Sequence, residues 1–184
     1  VLFFQCKSDD FFHSVLKSFP SIKCELAFID GMHLFEYALM DFINLAKLAK
    51  SNSLFLFHDI MPWTFEMTTR QFENVPKGAP WTGDIWKLLP ILIETGFKNY
   101  LKVIPAEPSG ILAVYSPPRE LLYQLEEKYL EIKEKWVTID LKEYELDRFY
   151  EQAPFQDPES YLELLNIRGF GSTQNNKPLR WVSH

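Results

Sequence analysis

The chain has 184 residues, of which 47% are hydrophobic and 16% aromatic, and this composition indicates a folded protein rather than a disordered one. Its formal net charge of -6 and the lack of a basic stripe argue against nucleic acid and membrane surfaces as partners. No apolar stretch approaches the roughly 18 residues of a membrane span. The two cysteines, Cys6 and Cys24, are too few for a disulfide framework, so we expect reduced thiols and a cytoplasmic protein.

The first predicted elements are a strand over 1–4 and, after a polar turn, a short helix. Asp9 or Asp10 begins this helix, because a short acidic side chain can cap the free N–H groups of its first turn. Pro20 follows and prevents the helix from continuing.

The next three elements form a predicted strand–helix–strand unit. Two short apolar runs, 24–29 and 53–57, are typical of strands buried on both faces of a parallel sheet. Between them, apolar residues recur at helical spacing over 34–50. Parallel strands joined through a helix cross over in the right-handed sense, so we expect that hand here.

A long connection over 60–84 follows, and connections of this length in compact domains are usually functional or disordered. It contains Trp63 and Trp81, which favour an ordered lid over the strand ends. The tryptophans of this region either wall a substrate pocket or, as is more common for aromatic residues, belong to the core. Glu66 and Arg70, four residues apart, are expected to form a solvated pair on a helix.

The rest of the α/β region is a predicted helix over 84–95 and an antiparallel pair of strands over 97–104 and 111–115. From Arg119 onward the sequence is more highly charged, with apolar residues at helical spacing. Three helices are predicted there, over 120–135, 141–150 and 158–165. We therefore divide the chain into an α/β core over 1–117 and a helical extension with a polar tail over 118–184.

Polar clusters end the two strands of the predicted parallel pair. Asp30-Gly-Met-His33 follows the first strand, and His58-Asp59 ends the second. In open α/β sheets, ligands bind outside the carboxyl ends of the strands. We therefore expect these acidic and imidazole groups to meet in one pocket.

Several motifs resemble class I S-adenosylmethionine-dependent methyltransferases. Phe28-Ile-Asp-Gly-Met-His33, followed by Asp41, and Leu56-Phe-His-Asp-Ile-Met-Pro62 are similar to the second half of these enzymes. The nearest groups are small-molecule O-methyltransferases related to catechol O-methyltransferase and to the cephalosporin-biosynthesis methyltransferase. Cys6-Lys-Ser-Asp-Asp10 looks like their loop after the third strand, and the pair over 97–115 matches their reversed last strands.

The resemblance covers about residues 1–117 and implies a Rossmann-like, mostly parallel sheet with an antiparallel terminal strand pair. The family also has a Gly-rich loop for the methionine part of the cofactor, ahead of the parts that match. No glycine precedes Gly31, so this Gly-rich N-terminal portion is missing from the sequence and only the C-terminal part of the domain is represented. Either the sequence is a fragment of a longer protein or the domain is degenerate. We expect the chain alone to be inactive or incomplete, and its unpaired strand edges to favour a homo-oligomer.

The resemblance also implies catalytic roles for Asp30, His58 and Asp59. Asp30 would lie near the transferred methyl group and, with Asp59, ligate a divalent metal such as Mg²⁺; alternatively, it caps the helix that follows. Relatives that need a metal carry a carboxylate where His58 stands, and imidazole suits Zn²⁺ or Fe²⁺ better than Mg²⁺. His58 is therefore either the base that takes a proton from a substrate hydroxyl or part of a pair with Asp59 that binds loop backbone.

For the cofactor, the resemblance implies an adenine site in the loop before the first helix, with further contacts from Asp30 and His33. The loop residues are Cys6, Lys7, Ser8 and Asp9. His33 could equally orient Asp30 or be an ordinary residue at a helix start, and a simple helix cap explains Ser8 and Asp9 nearly as well.

One main function and two alternatives follow from these inferences. The main function is methyl transfer from S-adenosylmethionine to a hydroxyl of a small molecule. The first alternative is a non-catalytic α/β interaction module that self-associates through its strand edges and acidic helices. The second is a metal-dependent hydrolase whose ligands are Asp30, His33, His58 and Asp59.

Overall fold

The computed structural model describes residues 2–167, so the polar tail predicted at 169–184 lies outside the described residues. The strands are β1 Cys24–Ile29, β2 Ala49–His58, β3 Leu101–Ile104 and β4 Ile111–Tyr115. The helices are α1 Ser8–His13, α2 Phe35–Lys47, α3 Leu88–Glu94, α4 Arg119–Glu127, α5 Tyr129–Val137, α6 Leu141–Tyr144, α7 Leu146–Gln152 and α8 Pro158–Ile167. Short 3₁₀ turns occur at Val15–Ser18, Glu66–Thr68, Phe72–Asn74, Ile85–Lys87 and Lys98–Tyr100.

The four strands form one sheet in the order β1-β2-β4-β3. β1 and β2 are parallel, as the strand–helix–strand pattern predicts, with Ile29 opposite Phe57. β4 is antiparallel to both β2 and β3, so β1, β2 and β3 run in one direction and β4 alone runs in the other. The predicted Rossmann-like α/β sheet with an antiparallel terminal pair is confirmed.

The main core lies between one face of this sheet and the helices. Phe42 of α2 packs edge-on against Phe55 and Phe57 of β2, with ring centroids 5.0 and 5.5 Å apart. These residues alternate along β2 because successive side chains of a strand point to opposite faces. The helices that follow β4 contribute Trp136, Phe149 and others to the same core. The division of the chain at residue 117 stays a prediction, although helices beyond it share the core of the sheet.

The opposite face of the sheet is covered over β4 and β3 but open over β1. Tyr161 of α8 packs with Leu54 and Ala113 in a small second cluster. Leu26 and Phe28 on β1 are 58% and 57% exposed. The expectation that β1 is buried on both faces is therefore wrong, because β1 is the edge strand and no described element covers its second face. β2 lies inside the sheet and is buried as expected.

Several predicted elements have different bounds. No strand forms over residues 2–4, because no strand pairs with them, and Phe4 packs instead on Phe11 and Phe19 at 5.5 and 5.6 Å. The helix predicted over 120–135 is interrupted at Lys128 and becomes α4 and α5. The one predicted over 141–150 is interrupted at Glu145, whose φ of 74° is not helical. Among the described residues, no helix combines the length and apolar character needed to cross a membrane.

Candidate functional site

The carboxyl ends of β1 and β2 bring four polar side chains together, as the sequence predicts for Asp30, His58 and Asp59. His58 Nδ1 lies 3.4 Å from Asp30 Oδ1 and 3.3 Å from Asp59 Oδ1. His33 Nε2 lies 3.5 Å from Asp30 Oδ1 and 3.1 Å from Asp59 Oδ2. We call these four residues the rim cluster. Each imidazole therefore stands beside both carboxylates.

Asp59 is held in place by backbone conformation and by a hydrogen bond. Its φ is 59°, a conformation that non-glycine residues adopt rarely and that turns the chain sharply after β2. The hydroxyl of Ser109, in the turn between β3 and β4, donates to Asp59 Oδ1. The Met61 N–H donates to the Ser109 carbonyl at 2.7 Å, which fixes that turn against the end of β2. The Asp59 side chain is consequently 11% exposed, whereas the Asp30 side chain is 40% exposed.

His33 is oriented by the segment 60–84. His33 Nδ1 lies 3.0 Å from the Trp81 carbonyl. A carbonyl can only accept a hydrogen bond, so Nδ1 carries the proton and Nε2 is the nitrogen that faces Asp30 and Asp59. The Trp81 ring also packs against the imidazole, with centroids 4.9 Å apart and the planes tilted by 32°, and its Nε1 donates to the Thr69 carbonyl at 2.7 Å.

The same segment also contacts the backbone of His33 closely. The Asp84 N–H donates to the His33 carbonyl at 3.1 Å. Gly83, with a φ of 56°, packs so closely that a Cβ there would lie 1.7 Å from the His33 oxygen. Only glycine fits this contact. The segment 60–84 is thus an ordered cover on one side of the rim cluster, which agrees with the predicted lid.

A buried group of charges anchors this cover to α2. Arg70 donates two hydrogen bonds to the Glu36 carboxylate and one to Asp84. Lys87 Nζ lies 2.8 Å from Asp84 Oδ2 and donates to the Trp136 carbonyl at 2.8 Å. The interpretation of Arg70 as one half of a solvated pair with Glu66 is wrong, because its partners lie on α2 and at Asp84.

Two pKa values within this charged group are displaced from their ordinary values. Burial alone would raise the pKa of Glu36, but hydrogen bonds from Arg70 and from the backbone outweigh it and hold the pKa below its ordinary value. Burial lowers the pKa of Lys87, although Asp84 acts in the opposite direction. The arrangement therefore stabilises the charged form of Glu36.

Asp84, and not Asp30, caps the helix after β1. The Phe35 N–H at the start of α2 donates to Asp84 Oδ1 at 2.9 Å. The side chain of Asp30 is left to face the two histidines. The capping alternative for Asp30 is therefore wrong.

The predicted adenine loop lies beside α2 and not in the rim cluster. Ser8 begins α1 and its hydroxyl hydrogen-bonds the Asp41 carboxylate. Burial raises the pKa of Asp41, and Asp9 acts in the same direction while Ser8 opposes it. No hydrogen bond, ion pair or ring contact joins Cys6, Lys7, Ser8 or Asp9 to Asp30 or His33 in the part of the chain described. The structure therefore brings together Asp30, His33, His58 and Asp59 and leaves the loop apart.

The three tryptophans near the site have different environments. Trp86 is 1% exposed and belongs to the core, Trp81 covers His33, and Trp63 is half exposed. A cavity of about 350 Å³ lies behind the cover, between Arg70 and Lys87 on one side and 137–142 on the other. No residue of the rim cluster lines this cavity, so we place the candidate active site at the rim cluster and not in the cavity.

Sequence reasoning did not find the residues that support the rim cluster. Ser109, Trp81 and Gly83 contact it from 48 to 50 positions away along the chain, and Arg70 acts on it only through Asp84. The only local sign is the Thr82-Gly83-Asp84 run, a glycine beside a capping acid that is typical of a tight turn before a helix.

The donor set of the rim cluster suits a divalent cation. Asp30, His33 and Asp59 each offer one ligand atom, and these atoms lie within 4.8 Å of one another. His58 Nδ1 is buried and has no hydrogen-bond partner, although both carboxylates are within 3.4 Å of it. The distances from His58 Nδ1 to the two carboxylates are those of ion pairs, but the atoms are not aligned for hydrogen bonds. A buried nitrogen beside two carboxylates fits a site for a positive charge.

The fold and the rim cluster together define a Rossmann-like α/β protein with a polar site at the carboxyl ends of its parallel strands. The family model described as a methyltransferase domain matches residues 3–60 of this chain. All the candidate site residues predicted from the sequence lie within this match. Over this first part of the chain, the match supports the resemblance to class I S-adenosylmethionine-dependent methyltransferases. The comparisons with curated proteins and with solved structures give no match.

Proposed function

We propose that the protein transfers a methyl group from S-adenosylmethionine to a hydroxyl of a small molecule. The single observation that carries this proposal is the rim cluster, which lies within the methyltransferase match and at the strand ends where this fold binds ligands. The match supports methyl transfer and a cofactor of the S-adenosylmethionine type in general terms; the hydroxyl acceptor is our proposal.

The residues present fit the cationic part of this cofactor, because Asp30 and Asp59 place two carboxylates beside one another. Bound S-adenosylmethionine supplies a sulfonium methyl group that an oxygen nucleophile attacks in line. Asp30, the more exposed carboxylate, faces the donor in our proposal, together with His33. Cys6, Lys7, Ser8 and Asp9 remain candidates for the adenine, by resemblance alone.

His58 is the proposed base for the acceptor hydroxyl. Its imidazole stands beside both carboxylates, with Nδ1 3.4 Å from Asp30 Oδ1 and 3.3 Å from Asp59 Oδ1. Asp30 and Asp59 would stabilise the imidazolium that forms. Alternatively, Asp30 and Asp59 are the ligands of a divalent metal such as Mg²⁺, which would lower the pKa of the acceptor hydroxyl. Most of the rate would come from alignment of donor and acceptor.

The test uses protein made from the complete open reading frame, with methyl-labelled S-adenosylmethionine and a panel of phenols, catechols and hydroxylated metabolites. We expect label in an acceptor, and a loss of at least about 100-fold in rate for Asp30→Asn and His58→Ala. Asp147→Asn, an exposed acid on α7, is the matched control and keeps full activity. If the protein gives neither calorimetric heat with S-adenosylmethionine nor labelled product, the proposal is wrong.

The 184 residues alone are proposed to be inactive or incomplete as a methyltransferase, because no Gly-rich cofactor loop precedes Gly31 within them. Calorimetry of this chain with S-adenosylmethionine tests the point, and binding as tight as that of the protein from the complete reading frame contradicts it. We also place the protein in the cytoplasm, a proposal that the two free cysteines support.

The open edge of β1 favours a second candidate, a homo-oligomeric interaction module. β1 pairs with β2 on one side only, and Leu26 and Phe28 are exposed on its uncovered face. Unpaired strand edges are ready templates for another strand. Light scattering over a range of protein concentrations tests this candidate, and a monomer at high concentration excludes it.

A further inference from the structure

We propose that His33 is the nitrogen ligand of a divalent transition-metal ion held by Asp30 and Asp59, and that the Trp81 carbonyl orients it for this task. This inference deepens the proposed function, since it adds a third ligand and names the class of ion. The resemblance to methyltransferases gave His33 a different role, in contact with the cofactor. The new role depends on the surroundings of its two ring nitrogens.

The first argument is the fixed proton of the imidazole. Because Nδ1–H is donated to the Trp81 carbonyl at 3.0 Å, Nε2 of neutral His33 is left with a lone pair that faces Asp30 and Asp59. Metal-binding histidines commonly donate their other N–H to a carbonyl or carboxylate, which holds the ring in the orientation for binding. The neighbouring Trp81 ring and the tight Gly83 contact restrict the imidazole further.

The second argument is the spacing of the atoms. Two ligand atoms that each lie about 2.1 Å from one ion are about 3.0 Å apart at a right angle and about 3.4 Å apart at the tetrahedral angle. His33 Nε2 is 3.1 Å from Asp59 Oδ2 and 3.5 Å from Asp30 Oδ1. These two separations are compatible with atoms that surround a common centre, and all three ligand atoms lie within 4.8 Å of one another.

The third argument concerns the class of ion. Mg²⁺ prefers oxygen ligands and keeps several waters, whereas an imidazole with two carboxylates suits Mn²⁺, Fe²⁺ or Zn²⁺. Asp59 is only 8% exposed, and its other oxygen accepts from Ser109, so its Oδ2 is fixed. We therefore expect binding to Mn²⁺ that exceeds binding to Mg²⁺ at least tenfold.

The experiment titrates the protein with Mn²⁺ alone and reads the bound ion by electron paramagnetic resonance, with spin-echo modulation to detect a coupled imidazole nitrogen. His33→Ala should lose the nitrogen modulation and weaken binding at least tenfold. His58→Ala should retain the nitrogen modulation, because its imidazole is not among the proposed ligands. His13→Ala, an exposed histidine on α1, is the matched control, and circular dichroism checks that each variant is folded.

Nitrogen modulation that persists in His33→Ala but disappears in His58→Ala overturns the assignment of His33. Failure of the wild-type protein to bind Mn²⁺ overturns the metal site altogether. Neither S-adenosylmethionine nor an acceptor is present in this experiment, so its failure is distinct from a failure of methyl transfer. A protein that methylates without metal would leave the proposed function standing and remove this inference.

Discussion

Gly83 lies against the carbonyl of His33 and thereby fixes how the cover meets the rim cluster. We expect Gly83→Ala to lower the free energy of unfolding by at least about 2 kcal/mol, because the residue has a positive φ and its new Cβ would strike the His33 oxygen. Urea unfolding measures the loss.

The matched control for this prediction is Gly78→Ala. Gly78 also has a positive φ, of 82°, but nothing lies within 4 Å of its missing Cβ. This variant should lose only about 1 kcal/mol, from backbone strain alone. Equal losses in the two variants would mean that the contact with His33 contributes nothing to stability.

Arg70 stabilises two acids that are almost inaccessible to water, Glu36 and Asp84. We expect Arg70→Met to lower the free energy of unfolding at pH 7 by about 2–4 kcal/mol, because it leaves a buried carboxylate without its partner. Lys135→Met, which removes an exposed ion pair with Glu94, is the control and should cost under about 1 kcal/mol.

The effect of Arg70→Met should also depend on pH. The pKa of Glu36 in the folded protein is below its ordinary value of 4.5. The ionised Glu36 carboxylate therefore stabilises the folded protein fully above pH 4.5, and this stabilisation is lost as the pH falls through the pKa of the folded state. The difference in the free energy of unfolding between wild type and Arg70→Met should therefore decrease as the pH falls from 5 to about 3. A constant gap across this range would show that Glu36 is not the group involved.

At the scale of the elements, β1 differs most from what its sequence suggests. Its apolar run predicts burial on both faces, yet Leu26 and Phe28 are exposed, because burial depends on which other strands and helices lie beside it. The chemical residues at the ends of β1 and β2 were predictable, since strand direction alone places them on one rim. The residues that support them were not predictable, because the positions of Ser109, Trp81 and Arg70 depend on how distant turns and loops fold against the strand ends.

Leu26 tests the open face of β1. We expect Leu26→Lys to change the free energy of unfolding by less than about 0.5 kcal/mol, because the side chain is already 58% exposed. If β1 mediates self-association, the same change should weaken it at least tenfold in sedimentation velocity, since lysine blocks strand edges. Leu54→Ala, at its buried partner position on β2, should instead cost about 2–5 kcal/mol.

At the scale of the whole molecule, the helices beyond residue 117 are joined to the sheet by aromatic packing. Trp136 of α5 packs against Trp86 and Tyr144, with ring centroids 6.4 and 5.6 Å apart. Tyr150 of α7 donates to the Pro62 carbonyl at 2.9 Å, at the start of the cover. The charged pattern of these helices predicted their presence, but not that they share the core.

We therefore expect one cooperative unfolding transition for the chain. Trp136→Ala should lower the free energy of unfolding by about 3–5 kcal/mol and keep a single transition. Tyr123→Ala, an exposed aromatic residue of α4, should change it by less than about 0.5 kcal/mol. Two separate transitions, by fluorescence and by far-ultraviolet circular dichroism, would mean that the sheet and the later helices fold independently.

The free edge of β1 has a consequence for access. The cover shields one flank of the four polar side chains and the β3–β4 turn shields another, while Asp30, at the tip of β1, is the side chain most open to solvent. Among the described residues, the free edge of β1 is thus the open approach for a small molecule. A second chain that paired with this edge of β1 would extend past Asp30 and narrow the approach to it. Self-association and ligand entry would therefore compete for the same strip of surface.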